Sequence, residues 1–97
     1  MGEAWNNLGN VLDEGGDLEA AARAYERAVA MRPEEATYHL NHASVLARLG
    51  DASAAIDHLA AALELSLEVE RLLQGYEELV PLLGDPALRR FRGSRPS

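Results

Sequence analysis

Three histidines carry the most reactive side-chain pattern in the chain. His39 and His42 are three residues apart, so a helical segment would place both imidazoles on one face. His58 falls on what reads as the partner helix, and Asp57 or Glu35 can add an oxygen, which gives the donor types of a zinc site. The spacing argues against that chemistry, because helical zinc motifs set two histidines four residues apart or add a glutamate base. Packing or interface duty is the preferred reading for the histidines, and no metal is expected. The chain has no cysteine, which excludes thiol catalysis and thiolate ligands. It shows no nucleophile–base–orienter set and no glycine-rich phosphate loop after a strand. The expectation is a protein that is not an enzyme and takes no cofactor.

Charge supplies the next candidates. All nine basic residues are arginine, which reads as coding bias. All sixteen acids lie in residues 1–85, whereas residues 86–97 hold four arginines and no acid. An acidic body argues against general nucleic-acid binding, which needs a basic surface to neutralise phosphates. The run Arg89-Arg90-Phe91-Arg92-Gly93-Ser94-Arg95 has the composition to touch phosphate, acidic lipid or a neighbour's acidic body. A solvated terminus is the simpler reading, and any binding by it should fade with salt. The start Met1-Gly2-Glu3-Ala4 has no basic and then apolar signal pattern. The longest apolar run, Leu59 to Leu63, is too short for a bilayer. A cytoplasmic protein without membrane contact is the expectation.

The elements that must position these groups follow from an internal repeat. Shifting the chain by 34 residues pairs Asn7 with Asn41, Val11-Leu12 with Val45-Leu46 and Gly16-Asp17 with Gly50-Asp51. It also pairs Ala20-Ala21 with Ala54-Ala55, Ala28 with Ala62 and Glu34 with Glu68. Composition rich in Ala, Leu and Glu favours helix throughout. A first helix is predicted from about Glu3 to Glu14, with Trp5, Leu8, Val11 and Leu12 on one stripe. Gly15-Gly16 stops it, Asp17 caps a second helix to about Met31, and Ala21, Ala24 or Tyr25, Ala28 and Val29 form its inner face. Pro33 is predicted to open a helix from about Glu34 to Leu49, with Asp51 capping the next and Ala55, Leu59, Ala62 and Leu63 facing inward. A fifth helix should begin near Val69, carry Leu72, Leu73, Tyr76, Leu79 and Val80, and kink near Val80 because Pro81 lacks an amide. Leu83-Gly84-Asp85-Pro86 should repeat the earlier turn, with room for a short helix from Ala87 to Phe91.

Trp5, Leu8-Gly9, Leu12, Gly16-Asp17, Ala21, Tyr25, Ala28 and Pro33 at these spacings resemble the tetratricopeptide repeat, whose period is 34 residues. The second unit is looser, with His39 at the large aromatic position and His42-Ala43 in place of Leu-Gly. The resemblance implies an all-α fold of antiparallel helix-pair repeats, about two and a half of them, closed by a C-terminal capping helix. The expected organisation is a single domain over residues 1–97: repeat one at 2–35, repeat two at 36–69, a partial third repeat at 70–90 and a basic tail at 91–97.

The resemblance also implies a function. In such arrays the first helix of each unit lines a concave groove, which points to a non-catalytic module that binds a partner peptide or helix. The residues expected to contact that partner are Asn6, Asn10, Asp13, Asn41, Ser44, Arg48, Arg71 and Gln74. Asn10 and Asn41 stand where carboxylate-clamping relatives place asparagines, and Arg71 at one basic position. Asn6 and Gly75 occupy the other two basic positions, so too little positive charge remains for a carboxylate clamp. A short stack also has uncovered apolar edges, so a homo-oligomeric assembly module, or a piece of a larger protein, is the alternative expectation.

Overall fold

The computed structural model describes residues 1–66, 68–89 and 91. Four long helices come first: α1 (Gly2–Glu14), α2 (Leu18–Met31), α3 (Ala36–Arg48) and α4 (Ala52–Leu65). A single turn, α5 (Val69–Leu72), follows, and then 3₁₀ segments at Leu73–Gly75, Glu77–Gly84 and Pro86–Leu88. The helices pair as α1 with α2 and α3 with α4, and α2 packs on α3 to join the two units.

The two internal turns are built alike, and their sequences explain why. Gly16 and Gly50 have φ of 87° and 89°, a left-handed conformation that side-chain-bearing residues resist. In each turn the glycine amide and the following aspartate amide cap the ending helix, with Asp17 N–H donating to Leu12 O at 2.9 Å and Asp51 N–H to Leu46 O at 2.9 Å. The same aspartates start the next helix, since Asp17 accepts from Ala20 N and Asp51 from Ala54 N, each at 3.2 Å. One residue thus ends a helix with its amide and begins another with its carboxylate. Replacing Asp51 by alanine should cost about 1 kcal/mol, measured by urea unfolding, and asparagine should restore most of the loss. An unchanged midpoint in the alanine variant would argue against the cap.

Three expectations are corrected. Pro33 does not open α3: it lies in a turn closed by Glu35 N–H to Arg32 O, and α3 starts at Ala36 without a side-chain cap. The fifth helix is not a long kinked one. It breaks at Tyr76, whose φ and ψ are −127° and 68°, and resumes as 3₁₀ structure containing Pro81. Gly75 has the poorest helix propensity short of proline, so the chain yields there before Pro81 is reached. The third Gly-Asp turn is only half repeated. Asp85 caps Ala87 N at 2.8 Å and Pro86 opens the next segment, but only Gly16 and Gly50 are left-handed among the described glycines. With no α-helix ending before it, Gly84 has no α-helical carbonyls to close upon.

The main core joins Leu40, Ala43, Ala55, Leu59, Ala62 and Leu63 to Val69, Leu73, Leu79 and Leu88. The irregular C-terminal segment therefore does cover the open edge of the second unit, with Leu79 and Leu88 fully buried. A second cluster of Ala21, Tyr25 and Val45 ties the units together. The stripe expected on α1 splits. Trp5 and Leu12 are half-buried, but Leu8 is 44% exposed and Val11 64% exposed, because no described element covers that side. Trp5 is partly screened by the Arg27 guanidinium, 5.1 Å from the ring centroid. Val29 is only half-buried.

Candidate functional site

Four of the eight predicted groove residues bond to one another in pairs, and two more bond to residues outside the prediction. Asn41 Nδ2 donates to Asn6 Oδ1 at 2.9 Å, and Asn41 Oδ1 accepts from the Tyr76 hydroxyl at 2.5 Å. Asn41 thereby links all three units, and its amide orientation is set by having a donor on one side and an acceptor on the other. Arg48 donates to Asp13 at 2.7 Å, and the Ser44 hydroxyl donates to Glu78. Within the first unit, Tyr25 donates to Asn10 Oδ1 at 2.6 Å. The Asn6–Asn41, Asp13–Arg48 and Asn41–Tyr76 pairs share a sequence separation of 35. A separation one greater than the repeat is what results when adjacent first helices stack with a slight offset.

Burial sorts these residues into frame and surface. Asn6 is 9% and Ser44 5% exposed, so their polar groups depend on protein partners. Asn10, Arg71 and Gln74 are exposed. Arg71 and Gln74 line an open depression with Glu68 and Leu72. The Asp13–Arg48 pair is partly exposed, with side chains 25% and 36% accessible, and such pairs contribute at most about 1 kcal/mol. The two tyrosines stay protonated donors. Burial, then the nearby Asp13 carboxylate, pushes Tyr25 up to about 12, and burial followed by Glu78 raises Tyr76.

Tyr76 was legible only as an apolar stripe residue, yet its hydroxyl donates to Asn41. The signal was available, since Tyr76 stands 35 residues after Asn41 just as Asn41 does after Asn6. Gly75, one of the two vacant basic positions, has open space where a side chain would project. Neither it nor Asn6 supplies charge. The three histidines converge on the side away from these bonds, but no group of three or more His, Cys, Asp or Glu among the described residues is arranged to hold a metal. The expected tail contacts of Arg90, Arg92 and Arg95 lie outside the described residues.

Two stacked helix pairs with a 34-residue repeat define a helical-repeat domain. The tetratricopeptide repeat family matches residues 3–66, two-thirds of the chain, and the chain belongs to that family. No curated protein and no solved structure matches it. Members of the family are in general protein–protein interaction modules. No helix among the described residues is long and apolar enough to cross a membrane.

Proposed function

We propose that the chain binds an extended or helical segment of a partner protein along the surface of α1, α3 and α5. The observation that supports this reading is the cross-unit bonding of Asn6, Asn41 and Tyr76, which rigidifies the floor while Asn10, Arg71 and Gln74 remain exposed beside it. A floor whose polar groups are already paired loses little entropy when a ligand docks. Asn10 accepts from Tyr25 through Oδ1, which leaves Nδ2 to donate to a ligand backbone carbonyl. Arg71 would pair with an acidic side chain.

A peptide-display selection tests the reading. Selected peptides should bind an Asn10→Ala/Arg71→Ala/Gln74→Ala variant at least about tenfold more weakly, about 1.4 kcal/mol, with its helical circular dichroism unchanged. Equal binding by the variant, or no enrichment at all, would reject the groove. Self-association is the second reading, favoured by the exposed Leu8, Val11, Leu72 and Val80. Light scattering at low and high salt decides it. A concentration-dependent dimer that Leu72→Ser disrupts would support it, and a monomer throughout would remove it.

A further inference from the structure

One cluster has no part in groove binding. His39, His42 and His58 meet where the end of the first unit joins the second helix pair. His39 Nε2 lies 2.8 Å from the Pro33 carbonyl in the α2–α3 connection. A carbonyl only accepts, so Nε2 carries the hydrogen and the neutral ring keeps its lone pair on Nδ1. His58 Nδ1, 3.1 Å away on α4, must then be the donor. The His42 ring sits on that of His58, with centroids 4.3 Å apart. Its Nδ1 is buried without a hydrogen-bond partner, and the residue is 6% exposed.

This arrangement tolerates neutral rings and resists charge. The His39–His58 contact has room for one hydrogen between the two Nδ1 atoms. A second proton would set two N–H groups face to face. A proton on His42 would create a charge in a nearly dry site, beside a ring instead of an acceptor. Few opposing charges face the trio: Asp57 on α4 and Glu26 on α2 favour a cationic His58, and both are exposed. Helix α3 itself carries no acid. Glu78, from the C-terminal segment, is bonded to Ser44.

We propose that the histidine trio is a proton-operated joint: neutral, it locks α3 to α4 and to the α2–α3 connection, and mild acid loosens that packing. Burial, then His58 and His39, lowers His42 from 6.5 to about 4. Burial, then His39, also lowers His58, against the pull of Asp57 and Glu26. Because the folded value lies below the unfolded one, the unfolded chain binds the proton more tightly. The His42 contribution is therefore intact above about pH 6.5, and falls away as pH drops toward 4. At pH 5, His42 alone should shift the folding equilibrium on the order of 30-fold toward unfolding.

Urea unfolding of the full chain at pH 7.5 and 5.0, with and without His42→Leu, tests the joint. Leucine removes the titratable ring and leaves an apolar side chain at a position that is 6% exposed. The wild-type equilibrium constant should fall on the order of 30-fold or more, and the variant's at least about tenfold less. Carboxylates titrate mostly below this window and act on both chains alike. Equal losses in both chains, or no loss in wild type, would overturn the proposal. Proton NMR of the wild-type imidazoles decides independently of whether the variant folds. His42 should titrate well below its ordinary range, and a midpoint between about 6 and 7 would overturn the joint as firmly.

Discussion

Truncation of Leu59 to alanine is expected to lower stability by about 2–5 kcal/mol, which would shift the melting midpoint by about 10 °C or more in a domain of this size. Leu59 is fully buried in one core cluster with Leu40, Leu63, Leu73 and Leu79, which come from both helices of the second unit and the segment that covers them. A cavity there cannot close by moving one element, because each neighbour is held by another. The matching control is Leu72→Ala on the one-turn helix α5. Leu72 is exposed, and its loss should cost no more than about 0.5 kcal/mol. If Leu59→Ala melts like wild type, the C-terminal segment does not close this core.

Gly9→Ala is expected to destabilise by about 1–3 kcal/mol, although alanine in place of glycine mid-helix normally gains about 1 kcal/mol. A Cβ built on Gly9 lies 2.5 Å from Cε1 and 2.6 Å from Cδ1 of Tyr25. That ring is buried, and its hydroxyl is bonded to Asn10, so it cannot swing away without losing both packing and the bond. The clash joins α1 to α2 and should vanish when the ring is removed. In a Tyr25→Leu background, Gly9→Ala should become neutral or stabilising, a non-additivity that a double-mutant cycle measures directly. Additive costs would mean the ring is not what excludes the methyl group. Gly75, with nothing within 4 Å of its would-be Cβ, should accept alanine without loss.

Much of the framework was legible because its causes are local. The Gly16-Asp17 and Gly50-Asp51 turns and the inward Ala21, Ala28, Ala55, Leu59, Ala62 and Leu63 each follow from a propensity or a spacing of three and four, whereas Gly9 was marked only by the family resemblance. The C-terminal segment was not legible, because Gly75 and Pro81 both weaken a helix and only packing selects where it breaks. The structure breaks it at Tyr76, which lets Leu79 and Leu88 reach the core while the Tyr76 hydroxyl meets Asn41.

The candidate site divides along the same line. The family resemblance assigned the first helix of each unit to a groove, and helical periodicity then marked Asn6, Asn10, Asp13, Asn41, Ser44, Arg48, Arg71 and Gln74 as the expected contact residues. Which of these are paired and which are exposed depends on the offset between stacked units. That offset sets Asn41 between Asn6 and Tyr76, and Arg48 against Asp13. The same holds for the histidines. Spacing put His39 and His42 on one helical face, but only the packing of α4 brought His58 against them and left the His42 Nδ1 buried without a partner. Periodicity acts within a helix, whereas pairing and burial arise between helices, where the geometry is decided by the summed packing of both units.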